Sequence, residues 1–205
     1  CMDNDSLRRG KPTNHIVYGE YTATLAGDAL QAAAFRTLLS AKLPPETLVA
    51  AGKILADAAG EDGICGGQYL DMKGTGRDLT LEQAALIHDL KTAALLRAAA
   101  MMGVEAAGGT ARQKAAARDY ATAVGLAFQV RDDILDCTST TEVLGKPAGS
   151  DKANKKTTFV DLLGVDECEA LVRRKTEEAK AAVRGEFADT EFLERLADYL
   201  AERKR

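Results

Sequence analysis

Residues 110–136 read TARQKAAARDYATAVGLAFQVRDDILD, from Thr110 to Asp136, and this stretch decides the fold. Alanine recurs through it and proline is absent. Alanine is the best helix former and proline the worst, so the segment reads as one long helix. The bias extends outward over the whole chain, which holds 37 alanines, no tryptophan and only four prolines, at 12, 44, 45 and 147. An all-α protein is expected.

At 205 residues the chain has the length of a single domain spanning 1–205. Such a domain buries roughly 70% of the surface its unfolded chain would expose, so no metal or disulfide staple is needed. The net charge of −4 lacks the basic excess of a nucleic-acid-binding domain. No apolar run approaches the ~20 residues that span a bilayer. Cys1, Cys65, Cys137 and Cys168 form no CxxC pair and read as free thiols of a reducing, cytoplasmic compartment. Cys1-Met2-Asp3-Asn4-Asp5 looks like neither a signal peptide nor a natural start.

On either side of the long helix the same patterns predict others. A helix is expected from His15 to Leu39, and a second runs from Pro44-Pro45 to Ala59, proline suiting the first turn. A short helix follows at Gln68–Lys73. Thr80-Leu81-Glu82-Gln83 reads as a capping box opening a helix to Met102. Two C-terminal helices are expected at 166–184 and 189–204. In the last, Phe192, Leu193, Leu196 and Leu200 form a stripe, and Arg203, Lys204 and Arg205 suit the negative end of its dipole.

Four groups of residues carry chemistry. Gln129, Asp132, Asp133 and Asp136 stand at i, i+3, i+4 and i+7, on one helix face near the end that disfavours anions. Such a cluster is either a solvated helix end or the hard oxygen set that suits Mg²⁺ shared with a substrate phosphate. Asp3 and Asp5 precede Arg8, Arg9 and Lys11, whose forks and point charge suit phosphate oxygens. Gln68 and Asp71, and His88 and Lys91 with Thr92, lie a turn apart on faces otherwise apolar and need partners if buried. His88 alone reads as an ordinary core or surface histidine. The loop Gly145-Lys146-Pro147-Ala148-Gly149-Ser150-Asp151, with Lys155-Lys156-Thr157-Thr158, allows close backbone approach and adds cations. No P-loop, dinucleotide fingerprint, zinc-ligand pair or Gly-x-Ser-x-Gly elbow is present.

Taken in order, six stretches resemble the trans-isoprenyl diphosphate synthases, and bacterial farnesyl diphosphate synthases in particular. They are Met2–Thr13, Leu25–Leu30, Gly66–Asp71, His88 with Lys91-Thr92, Gly125–Asp136, and Leu144–Lys146 with Lys156-Thr157. The resemblance implies a helical bundle around a central cavity, and Mg²⁺-dependent condensation of isopentenyl diphosphate with an allylic diphosphate. It implies metal ligation by Asp3, Asp132, Asp133 and Asp136, with catalysis resting on Lys91, Gln129, Asp132 and Asp133. Arg8, Lys91, Gln129 and Lys146 would contact the allylic diphosphate and Arg9 isopentenyl diphosphate, Lys156 would be a further phosphate contact and Thr92 a further substrate-binding residue, while Gln68, Asp71 and Phe128 would support the cavity. A homodimer follows by the same resemblance. Farnesyl diphosphate is the expected product, with geranylgeranyl diphosphate or a noncatalytic subunit as alternatives. A terpene cyclase is disfavoured by Asp132-Asp133-Ile134-Leu135-Asp136.

The chain also departs from that pattern. The family's first motif begins with an Asp-Asp pair four residues before Asp3, and its helices upstream of that are missing. The chain therefore reads as the C-terminal two-thirds of a synthase domain, with little activity expected of these 205 residues alone. Ala93 stands where glycine is usual after Lys-Thr, and Lys155 where glycine often precedes the matched lysine.

Overall fold

The computed structural model describes Met2, residues 4–140 and residues 156–203. A two-residue antiparallel hairpin opens it, pairing β1 (Leu7–Arg8) with β2 (Lys11–Pro12). Then come α1 (Asn14–Tyr18), α2 (Glu20–Leu39), α3 (Pro45–Ala59) and α4 (Ile64–Gly74). The helices α5 (Leu81–His88) and α6 (Ala94–Ala106) are joined by a π-helical turn, Asp89–Ala93. They precede α7 (Ala111–Thr138), α8 (Phe159–Leu163), α9 (Val165–Val183) and α10 (Glu191–Glu202).

The all-α expectation holds. Thr80 and Gln83 form the capping box foreseen for α5, and Thr110 with Gln113 forms another at the start of α7. Four differences stand out, the first being that α4 begins at Ile64 and takes in Gly66 and Gly67, ahead of the expected start at Gln68. The helix expected over His15–Leu39 breaks at Gly19, whose φ of 87° lies where only glycine sits without strain. The helix expected from Thr80 to Met102 is interrupted by the π turn. A five-residue helix, α8, follows Thr158, which caps it together with Asp161.

The long helix α7 is the spine. Ala127, Val130 and Ile134 pack with Phe159 of α8, Cys168, Leu171 and Val172 of α9, and Ala201 of α10. One turn group earlier, Tyr120, Ala121, Ala123 and Val124 meet Ala179, Val183 and Ala197. Each fully buried side chain of valine or leucine size stabilises by roughly 1.5–3 kcal/mol. Polar ties fix the register: Tyr120 Oη donates to the Leu193 carbonyl at 2.8 Å, and Arg131 forks onto Glu169 at 2.7 and 2.8 Å. A smaller cluster, Ala58, Ala94 and Ala98 with Ile54 and Met102, joins α3 to α6. By contrast α2 buries none of its residues. No helix among the described residues is long and apolar enough to cross a membrane.

Candidate active site

A cavity of about 700 Å³ lies among α4, α5, the π turn, α7 and the segment entering α8, with β1 contributing Arg8. Its apolar wall includes Ile87, Leu95, Leu96 and Phe128, and its polar end gathers Lys91, Lys156, Asp71, Gln129, Asp132 and Asp133.

Two cations meet one carboxylate at that end. Lys91 Nζ and Lys156 Nζ donate to the same oxygen of Asp71, Oδ2, at 2.6 and 2.9 Å. Lys91 comes from the π turn, Asp71 from α4, and Lys156 from a segment 85 residues further along the chain. Burial alone would raise the Asp71 carboxyl, but the hydrogen bonds and charge of the two lysines outweigh it and hold its pKa below the ordinary value. The partner that Lys91 needs on an apolar face is therefore Asp71. Next to it, Thr92 Oγ1 donates to Gln129 Oε1 at 3.2 Å, and Gln129 Nε2 donates to Asp133 at 3.0 Å.

The three α7 carboxylates fare differently from one another. Asp132 faces the cavity and accepts from Arg203 at 2.7 Å. Asp133 also lines the cavity but is buried, its Oδ2 accepting from the Phe159 N–H at 2.8 Å. Asp136 is buried and is not among the cavity-lining side chains. The repulsion expected of this cluster is thus offset in part by protein groups, notably Arg203 on Asp132 and a backbone N–H on Asp133. Among the described residues, no group of three acidic, histidine or cysteine side chains converges as a metal-ligand set.

Other expected residues sort as follows. Arg8 lines the cavity with Asp5, whereas Arg9, at the hairpin tip with a φ of 53°, is exposed and outside it. Phe128 is in the wall, and Gln68 is half-buried on α4 without lining it. Asp3 and Lys146 lie outside the described residues. Two more residues enter the site, one that the sequence had not singled out for it and one, His88, that it had read as an ordinary histidine. Arg203, read there only as a complement to the helix dipole, stacks its guanidinium 3.9 Å above the Phe128 ring while bonding Asp132. His88 lines the cavity, its ring 5.3 Å from that of Phe159. Burial pushes the His88 pKa down to about 4, the Lys91 and Lys156 cations adding to the effect and Asp71 opposing it. Its Nδ1 is buried without a hydrogen-bond partner among the described residues.

Lysines and carboxylates converging at one end of a cavity that also has an apolar wall suit a ligand with an anionic head and a hydrocarbon body. Comparison with known proteins agrees. Residues 1–200 match the sequence profile of the family described as Polyprenyl synthetase. The chain belongs to the polyprenyl synthetase family. Within this family it is similar to the farnesyl diphosphate synthase of Escherichia coli, 41% identical over all of this chain and 71% of that protein. It is also similar to a chloroplastic geranylgeranyl pyrophosphate synthase of Capsicum annuum, 44% identical over 99% of this chain. The chain spans 56% of the length of that pepper relative. Among solved structures, a geranyltransferase of Helicobacter pylori, complexed with magnesium and isoprenyl diphosphate, superposes with a TM-score of 0.84 at 34% identity. That likeness covers 97% of this chain and 65% of the Helicobacter one.

Proposed function

We propose that the full protein joins isopentenyl diphosphate to an allylic diphosphate, head to tail, giving a longer prenyl diphosphate and free diphosphate. The observation that carries this reading is the shared grip of Lys91 and Lys156 on Asp71 in a cavity that also has an apolar wall of Ile87, Leu95, Leu96 and Phe128. Two ammonium groups held together in a partly buried place are ready for an anion with several oxygens. Arg8 adds a third cation from β1.

The chain's own residues would act in three ways. Lys91, Lys156 and Arg8 stabilise negative charge as the allylic C–O bond breaks and diphosphate leaves. Thr92 and Gln129, already bonded to each other, present oxygen dipoles beside the developing allylic cation. Ile87, Leu95, Leu96 and Phe128 keep water away while the isopentenyl double bond forms the new C–C bond and a proton is lost to the departing diphosphate.

Mg²⁺ belongs to this proposal. Asp132 and Asp133 supply hard carboxylate oxygens at the cavity, the donor type that Mg²⁺ shares with substrate phosphates. These two are the described residues that would hold it, with Asp3 proposed beside them and Asp136 set behind the wall, and when bound it would neutralise charge on the leaving diphosphate. A homodimer is proposed as well, supported by the exposed Tyr21, Leu25 and Leu30 on α2. A cytoplasmic location is carried as a proposal too, although the pepper relative is chloroplastic by name.

The relatives divide between farnesyl and geranylgeranyl synthases, so the product is proposed as one of these two. The test is chromatography of products made by the full-length protein with Mg²⁺, isopentenyl diphosphate and dimethylallyl, geranyl or farnesyl diphosphate. Elongated product is expected, and Asp133→Asn should lower kcat by about 100-fold or more. A wild-type protein that releases no diphosphate with any primer would overturn the reading.

A further inference from the structure

Lys91 and Thr92 both lie in the π turn between α5 and α6. Such a turn holds one residue more than an α-helical turn and is rare without outside support. Here its last hydrogen bond runs from the Ala94 N–H to the Asp89 carbonyl.

Two glycines receive the widened turn. A Cβ on Gly67 of α4 would stand 2.3 Å from the Lys91 backbone nitrogen and 2.6 Å from its Cα. The two segments therefore meet backbone to backbone, which only glycine permits. On α7, a Cβ on Gly125 would stand 2.7 Å from Ala93 Cβ and 3.0 Å from Ala93 Cα. Arg97, on α6, ties back onto the first residue of the turn. It donates to both carboxylate oxygens of Asp89, although residues eight apart stand about 12 Å apart along a straight α-helix.

The registers of the two glycines match. Asp71 follows Gly67 by four residues on α4 and accepts from Lys91 Nζ at 2.6 Å. Gln129 follows Gly125 by four residues on α7 and accepts from Thr92 Oγ1 at 3.2 Å. Residues four apart share a helix face. Each flanking helix thus seats the turn on a glycine and, one turn later, receives a side chain from it. The same contact that fixes the backbone fixes the distance over which Lys91 and Thr92 reach.

We infer that Gly67 and Gly125 are positioning residues that set where Lys91 and Thr92 project into the polar end of the cavity, with Arg97 holding the turn between them. This rests on the reading of that end as a diphosphate site. An alanine at position 67 must push the turn away by roughly an ångström, since a close-packed interior cannot absorb the added carbon. Displacement on that scale at a reacting centre can cost ~100-fold in rate.

The test is a set of double-mutant cycles on the full-length protein, reading kcat/KM for the allylic diphosphate together with thermal stability. Gly67→Ala should lower kcat/KM about 100-fold in the wild type and less than about threefold in a Lys91→Ala background. Gly125→Ala should lower it about tenfold in the wild type and less than about threefold in a Thr92→Ala background. Equal losses in both backgrounds, as general loosening of the bundle would give, overturn the inference. Should Gly67→Ala fail to fold, Arg97→Gln carries the same comparison, with a loss absent from the Lys91→Ala background expected and an additive loss overturning it. A wild-type protein without condensing activity would defeat the proposed function instead. The inference is then decided by calorimetric binding of inorganic diphosphate to the same variants, where non-additive losses support it and additive losses overturn it.

Discussion

Two helices of nearly equal length, α2 and α9, stand in opposite relation to the rest of the molecule. The 20 residues of α2 include none that is buried, whereas the 19 of α9 bury Cys168, Leu171, Val172, Thr176, Ala179 and Val183. Leu171 and Val172 are adjacent and the others recur at intervals of three or four residues, so the six form one face, which α7 covers. In α2 the small and large apolar residues are spread around the helix, so no single stripe faces a neighbour. What keeps α2 helical within these contacts is alanine's intrinsic preference, while α9 is held by burial. The difference places the site: its residues stand on or against the elements of the buried side, and that side gives them fixed positions.

The contrast can be broken at its strongest point by emptying the buried side. Phe159→Ala removes a fully buried ring that packs on α7 and α9 and lies against His88, and about 3–5 kcal/mol of stability should go with it. Denaturant unfolding measures this, and a loss below about 1 kcal/mol would show that the core is less closely packed than described.

A pH profile sharpens the same point. His88 has a folded pKa near 4 against an ordinary value of 6.5. Between those values the unfolded chain binds a proton that the folded one refuses, so stability should be fully present above pH 6.5 and decline as pH falls toward 4. The decline attributable to His88 is up to roughly 3 kcal/mol. Subtracting the profile of His88→Gln isolates it, and coincident slopes would place His88 in a more open setting.

The smallest effect belongs to α2. At dilutions where the chain is monomeric, Leu25→Ser with Leu30→Ser should change the unfolding free energy by less than about 0.5 kcal/mol. A concentration-dependent loss in sedimentation or thermal melts would instead reveal that a second copy covers it, as the proposed homodimer requires.

Much of this was legible beforehand because it is local. Helical alanine content predicted the spine α7, and Thr80 with Gln83 predicted where α5 begins. The spacing Gln129, Asp132, Asp133 correctly placed three polar groups along one wall. The need of Lys91 for a partner was also readable, from the leucines around it. The interruption at Asp89–Ala93 was not, because Leu86, Ile87, Leu90, Leu95 and Leu96 keep an apolar pattern that a one-residue widening does not disturb. Arg203 escaped notice as a cavity residue because it reaches Asp132 across 71 positions of sequence. Asp136 shows the converse: shared helical spacing with Asp132 and Asp133 does not bring it to the cavity wall.

Cys168 lies at the heart of the α7–α9 contact, with no exposed surface, and burial pushes its thiol up to about 11. Cys65 and Cys137 are exposed. A thiol reagent therefore divides these cysteines by time, reaching the exposed pair first and Cys168 only when the two helices part. The slow phase of such a reaction is a clock for the opening of the core, readable at native pH without denaturant.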